Sequence, residues 1–283
     1  MSYAALFEAR GLTRRFGALV AVSNVSVALF EGEIHAVIGT NGAGKSTLIN
    51  LLSGEIPPSS GEIRFDGRDV THWPQPKLAQ AGLGRSYQRN NIFLPLTVRE
   101  NCRLAAQARV QRPFAWWEAA QRCPTSTARA AAAVERAGLA AVAERTAASL
   151  SHGQKRQLEI AMCLATEPKV LLLDEPLAGM GPEESHRMLD LLRSLKAGHA
   201  ILLVEHDMDA VFRIADVITV MVNGAVIFSG APAAVRSSRP PPRPPPRPAA
   251  RRAAAHSPRA GCRVRHRFAG TSGPPRGCGC TPG

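Results

Sequence analysis

The sequence has no apolar run that approaches the ~18 residues of a membrane-spanning helix. Its N-terminus also lacks a basic stretch followed by an apolar one, which is the pattern of a secretory signal. We therefore expect a cytosolic protein whose contact with any membrane would run through a partner.

The cysteines lack the spacing of a zinc site. There are six: Cys102, Cys123, Cys163, Cys262, Cys278 and Cys280. Those in the body of the chain are expected to be free thiols in a reducing compartment. A metal at Cys278 and Cys280 is the weaker alternative, because no second pair of ligands accompanies them.

Acidic residues are absent from residues 237–283, which hold ten arginines and half of the 22 prolines. Without those ten arginines, 25 basic residues face 22 acidic ones, so the excess charge belongs to this tail. The tail cannot bury enough apolar surface to fold and is predicted to be disordered. Residues 1–236 are predicted to form the folded domain, and the high pI says little about what that domain binds. Contact of the basic tail with nucleic acid or an acidic membrane is the less favoured alternative, so nucleic acid is not an expected partner.

A glycine-rich stretch lies between an apolar strand pattern ending at Ile38 and a helix pattern beginning near Gly44. Strand, glycine loop and helix together predict a phosphate-binding P-loop, since glycines let backbone N–H groups converge on an anion. An accidental glycine turn of this pattern is rare. The predicted nucleotide-binding residues here are Gly39, Asn41, Gly42, Gly44, Lys45, Ser46 and Thr47, with the Ser46 hydroxyl also placed to ligate Mg²⁺.

A second apolar run, residues 170–173, ends in Asp174 and Glu175. A strand buried on both faces has this composition, and its carboxyl end is where α/β sheets place ligands. Asp174 would hold Mg²⁺ and Glu175 could orient or deprotonate an attacking water. Two acids at a solvated turn are the alternative, which the P-loop makes less favoured.

Four further positions have two interpretations each. Ser151 and Gly153 open a predicted helix and form either an anion site or a plain N-cap. His206 follows the buried strand 200–204 and is either a γ-phosphate contact or structural. Phe16 is either an adenine-stacking ring or a core side chain.

The remaining pattern predicts an α/β protein with a mostly parallel sheet and an antiparallel β layer formed from the N-terminal residues. Alanine- and arginine-rich segments predict a mostly helical insertion over about residues 89–165. A short strand before it ends at the polar residue Gln88, and Asn223-Gly224 predicts a hairpin near the end of the fold.

Taken in order, these stretches resemble the ATP-binding subunit of ABC transporters over residues 5–236. The resemblance rests on the P-loop 39–47, Gln88, the signature 150–154, the strand 170–175 and His206. The segments 150–161, 177–182 and 204–208 are similar to those of branched-chain amino-acid importers and their amide-transporting relatives.

The resemblance implies a P-loop NTPase core that hydrolyses ATP with Mg²⁺. Two such subunits would sandwich two ATP molecules, so that Ser151, Gly153 and Gln154 contact the γ-phosphate on the neighbouring P-loop. Gln88 would assist catalysis and metal binding and contact the membrane subunit. The implied partners are a second ATP-binding subunit, identical or homologous, two integral membrane permease subunits and, indirectly, a periplasmic solute-binding protein. The implied location is the cytoplasmic face of the bacterial inner membrane.

Three departures from the family pattern stand out. His152 replaces a common glycine, Gly181 stands where most members have an aspartate, and the tail lacks the expected finishing helix. A frame shift downstream of Val235 would explain the tail. The alternative function is a soluble ABC ATPase that acts on nucleic acid or ribosomes, although we find one cassette and no heptads. A non-enzymatic scaffold is disfavoured because Lys45 and both acids are present.

Overall fold

A computed structural model describes residues 4–87, 91–110 and 123–237. The N-terminal part forms an antiparallel sheet of four strands in the spatial order β2-β1-β4-β5. These strands are β1 (Phe7–Phe16), β2 (Leu19–Leu29), β4 (Ser60–Phe65) and β5 (Arg68–Asp69). The antiparallel layer predicted from the alternating apolar residues is therefore confirmed.

A second sheet of six strands has the order β10-β9-β3-β8-β7-β6. Its strands are β3 (Glu33–Gly39), β6 (Leu83–Arg85), β7 (Val170–Asp174), β8 (Ala200–Val204), β9 (Val217–Val222) and β10 (Ala225–Gly230). Every neighbouring pair is parallel except β9 and β10. The latter form the predicted hairpin, in which Asn223 and Gly224 both adopt the positive φ that its tight turn requires.

Alternation along the central strands explains why their sequences are continuously apolar. Leu171 and Leu173 of β7 face a core shared with helices, whereas Val170 and Leu172 face a core shared with the antiparallel sheet. Both faces of the six-stranded sheet are thus covered, which is the usual condition of a parallel sheet.

Eight α-helices complete the described residues. They are α1 (Lys45–Leu52), α2 (Gln75–Ala81), α3 (Val98–Val110), α4 (Pro124–Arg136), α5 (His152–Ala165), α6 (Pro182–Lys196), α7 (Met208–Ile214) and α8 (Pro232–Ser237). Helices α3, α4 and α5 pack on one another. In the sequence they come after β6 and before β7, which is where the helical insertion was predicted. Its outer limits at residues 89 and 165 stay a prediction, and Gln88 lies outside the described residues.

Strand register determines where the functional residues meet. Val37 of β3 pairs with Val204 of β8, and Val204 pairs with Asp174 of β7. The carboxyl ends of three adjacent strands therefore lie level with one another. The P-loop, the two acids and His206 lie at or directly after these strand ends, so they are found at the same edge of the sheet.

Candidate functional site

The P-loop connects the end of β3 to the start of α1. Gly42 and Gly44 have φ values of 77° and 99°, and a Cβ on Gly44 would lie 2.5 Å from the carbonyl oxygen of Ala21. The loop therefore requires glycine at position 44 for both conformation and space. Asn41, Gly42 and Ser46 are exposed, so a ligand can reach this loop, whereas Thr47 is half-buried and Gly39 ends the strand.

Lys45 folds back over the P-loop. Its buried ammonium donates hydrogen bonds to the carbonyl oxygens of Gly39 at 2.7 Å and Thr40 at 3.1 Å. These bonds hold a positive charge against the loop. A polyphosphate in the loop would add anionic acceptors to the same group.

Asp174 ends β7 and is buried at the edge of the sheet. Burial raises the pKa of its carboxyl and the neighbouring Glu175 raises it further, while Arg85, Lys45 and Arg156 act in the opposite direction. Asp174 and Lys45 of the P-loop thus lie near enough for their opposite charges to attract. The backbone N–H of Asp174 donates to the hydroxyl of Ser86 at 3.2 Å, which joins β7 to the segment after β6.

Glu175 and His206 lie side by side at the ends of β7 and β8. The Oε1 atom of Glu175 is 3.8 Å from Nδ1 of His206, and the backbone N–H of Glu175 donates to the carbonyl of Val204 at 2.9 Å. Glu175 has a φ of 49°, which is uncommon for a residue with a side chain. The backbone of Glu175 is thus strained, and its carboxylate lies next to the exposed imidazole of His206.

Glu205 is a member of this site that the sequence analysis did not select. Its fully buried carboxylate accepts hydrogen bonds from the backbone N–H of Leu177 at 2.9 Å and from that of His206 at 3.1 Å. Burial raises the pKa of this carboxyl, and the two backbone donors and His206 oppose that effect. The sequence feature that could have identified Glu205 is its position directly after the fully apolar strand 200–204.

Ser151 is the N-cap of α5. Its hydroxyl accepts from the N–H of Gln154 at 3.2 Å, and the Gln154 side chain accepts from the N–H of Ser151 at 3.1 Å, which completes a capping box. The same hydroxyl donates to Glu184 of α6 at 3.0 Å. A Cβ on Gly153 would lie 2.6 Å from that carboxylate. Ser151 thus caps α5, and whether this helix start also binds an anion stays a prediction.

Phe16 is 46% exposed, and the guanidinium of Arg14 lies 4.7 Å from the centre of its ring. The alternative that Phe16 is a core side chain is therefore wrong, because its ring lies at the surface of the tip between β1 and β2. Stacking on an adenine stays a prediction.

Across the described ranges, we found no helix with the length and apolarity needed to span a bilayer.

Comparisons with known proteins agree with this geometry. The family described as ABC transporter matches residues 22–178. The high-affinity branched-chain amino acid transport ATP-binding protein BraF of Pseudomonas aeruginosa is 38% identical over 240 residues, which cover 82% of this chain and 94% of the relative. The corresponding protein LivG of Escherichia coli is 36% identical over 242 residues, with the same coverage.

Solved structures give the same result. A nucleotide-free ATP-binding cassette from an ABC transporter superposes with a TM-score of 0.75 at 29% identity, covering 84% of this chain and 96% of that one. The ADP conformation of another ABC transporter cassette has a TM-score of 0.73 at 30% identity, covering 81% and 91%. The chain therefore belongs to the ABC transporter family, as one of its ATP-binding, ATP-hydrolysing subunits.

Proposed function

We propose that this subunit powers an importer of branched-chain amino acids or of related amino acids and amides. The observation that carries the proposal is that BraF and LivG, both named for branched-chain amino acid transport, match this chain over 94% of their own length. The motif segments that first indicated this subfamily lie around α5, in the loop before α6 and at the end of β8.

The P-loop would hold the phosphates of ATP through the backbone of residues 39–47, with Lys45 supplying a positive charge. Phe16 would stack on the adenine from the exposed tip of β1 and β2. Glu175 would take the proton of the attacking water or orient that water, and His206, 3.8 Å from it, would contact the γ-phosphate. Gln88 would join the site from the segment after β6.

Mg²⁺ fits the residues at this edge of the sheet. Asp174 supplies a carboxylate and Ser46 a hydroxyl, and hard oxygen ligands of this kind suit Mg²⁺. The structural observation is that Asp174 is buried with its pKa raised, so a bound cation would stabilise its charged form. When bound, Mg²⁺ would offset the negative charge of the phosphates, and Gln88 would be a further ligand.

Two ATP-binding subunits would form the working unit, the second being another copy of this chain or a homologue. Ser151, Gly153 and Gln154 at the start of α5 would then contact the γ-phosphate held by the partner's P-loop. The exposed position of Ser151 and the half-buried one of Gln154, both beside a helix N-terminus, support this role, whereas Gly153 is buried. Closing and reopening of this dimer would drive two membrane permease subunits from the cytoplasmic face of the inner membrane, with a periplasmic protein delivering the solute.

The test of the catalytic assignment is Glu175→Gln, which keeps the size of the side chain and removes its basicity. We expect ATP turnover to fall by about 10² or more while ATP affinity is retained. Glu183→Gln is the matched control, since Glu183 is 89% exposed on α6. Normal turnover in Glu175→Gln would remove Glu175 from the catalytic role.

The test of the transport assignment is uptake by vesicles that contain this subunit together with branched-chain amino-acid permeases from the same organism. We expect ATP-dependent uptake of leucine, isoleucine or valine, and loss of that uptake in Glu175→Gln. Uptake of an unrelated solute, with no competition from branched-chain amino acids, would contradict the assignment.

A further inference from the structure

Glu205 connects the two loops that carry the proposed catalytic side chains. One oxygen of its carboxylate accepts from the N–H of Leu177, which lies two residues after Glu175, and the other accepts from the N–H of His206. Both oxygens are therefore used, and each serves a different loop. The side chain has no exposed surface, so this bridge is shielded from water.

Burying a carboxylate at the end of an apolar strand costs free energy unless other groups stabilise its charge. Here the partners are two backbone donors at 2.9 and 3.1 Å and the imidazole of His206, whose Nδ1 lies 3.7 Å from the carboxylate, and hydrogen bonds of this kind favour the ionised form of an acid. A neutral amide of the same shape can satisfy only one of them, because its nitrogen would face an N–H group. The site thus requires an acceptor at both ends of this side chain.

Other contacts also join the two loops. The N–H of Glu175 bonds to the carbonyl of Val204, and the Glu175 carboxylate lies 3.8 Å from the imidazole of His206. The loop after β7 and the loop after β8 are therefore joined by the bond from Glu175 to Val204 and by the two bonds to Glu205. The Glu175 and His206 side chains lie next to these bonds.

We propose that Glu205 is a positioning residue for ATP hydrolysis, which sets the separation of Glu175 and His206 without touching the nucleotide. The proposal rests on the proposed function of those two residues. It assigns to Glu205 a role in the rate of the chemical step and none in ATP affinity, because the fully buried carboxylate reaches two backbone N–H groups and the His206 imidazole, 3.7 Å away, but no surface that a nucleotide could touch.

The main test is Glu205→Gln in the full-length chain. Loss of one charge-assisted hydrogen bond should lower kcat by about tenfold and leave KM for ATP within about twofold. Glu183→Gln, an identical chemical change at an exposed position, should leave kcat unchanged. An unchanged kcat in Glu205→Gln, or a loss confined to KM, would overturn the proposal.

A double-mutant cycle with His206→Ala separates positioning from general stability. If Glu205 acts through the pair, Glu205→Gln should reduce the residual rate of His206→Ala by much less than tenfold. Independent, multiplicative losses would indicate a merely structural role and would contradict the proposal. Should Glu205→Gln fold poorly, Glu205→Asp keeps the charge but is too short to reach both donors, and the same kcat loss and non-additivity are expected.

The proposed function and this inference fail in different ways. Normal turnover in Glu175→Gln would overturn the catalytic assignment on which Glu205 depends. Impaired turnover in Glu175→Gln together with normal turnover in Glu205→Gln would overturn the inference alone.

Discussion

Gly44 is a residue at which the P-loop has little freedom. Its φ of 99° disfavours any side chain, and an added Cβ would meet the carbonyl oxygen of Ala21 at 2.5 Å. A left-handed conformation costs a non-glycine residue roughly 1–2 kcal/mol, and relief of the clash requires the loop or β2 to move. We therefore expect Gly44→Ala to lower the free energy of unfolding by about 3 kcal/mol, measured by urea denaturation without nucleotide.

Gly42 offers a matched control in the same loop. Its φ is 77°, but an added Cβ would meet no atom within 4 Å. Gly42→Ala should therefore lower the free energy of unfolding by only the cost of the left-handed conformation, about 1 kcal/mol. Equal losses in the two variants would show that the contact with Ala21 does not constrain the loop.

Single residues were predictable from sequence where a local pattern marked them. Lys45 and Asp174 follow recognisable strands, and the structure places both at the same edge of the sheet. Glu205 was missed because its importance depends on a donor 28 positions away, the N–H of Leu177. Such a pairing follows from strand register, which no local pattern contains.

At the scale of elements, the contact between α5 and α6 involves the same atoms as the proposed ATP sandwich. Ser151 donates its one hydroxyl proton to Glu184 at 3.0 Å. A γ-phosphate at the start of α5 would compete for that proton and would be repelled by the Glu184 carboxylate. If the start of α5 contacts the partner's ATP as proposed, that binding would require Glu184 to move away.

This competition predicts that Glu184→Gln strengthens the ATP-dependent dimer. In a Glu175→Gln background, which slows hydrolysis, we expect half-maximal dimer formation at a several-fold lower protein concentration, since a 1.4 kcal/mol gain would be tenfold. Analytical ultracentrifugation with and without ATP measures this.

Glu183→Gln is the control for the effect of charge on α6, because Glu183 is its exposed neighbour in the first turn. It should change dimerisation little. A weaker dimer in Glu184→Gln would mean that Glu184 orients Ser151 for binding instead of competing with the phosphate.

The elements themselves were predictable to different degrees. The bounds of β8 agree with the apolar run 200–204, because a strand buried on both faces has no polar residue to blur its ends. Helix α2 and the two-residue strand β5 were not predicted, since neither has enough apolar periodicity. Composition predicted helices in the insertion, but their packing into one core depends on contacts distant in sequence.

At the scale of the whole molecule, the two largest cores cover opposite faces of one parallel sheet. The first joins helices α3 to α6 to that sheet, and the second joins the antiparallel sheet and α1 to it. Within the part of the chain that the structure describes, the residues of these two cores lie between positions 6 and 226. This sandwich contains the P-loop, the ends of β7 and β8, and the start of α5. We therefore predict that the chemistry needs no residue beyond the end of α8.

A chain that ends at Ser237 should therefore fold and work like the full-length protein. Removing residues 238–283 deletes ten arginines and no acidic residue, and leaves 25 basic residues against 22 acidic ones. We expect the same midpoint of thermal unfolding and the same ATP turnover as the full chain. RNA binding at low salt should be weaker, because non-specific binding follows positive charge. Tight RNA binding by the shortened chain would favour an ATPase that acts on nucleic acid, and its failure to fold would place part of the core in the tail.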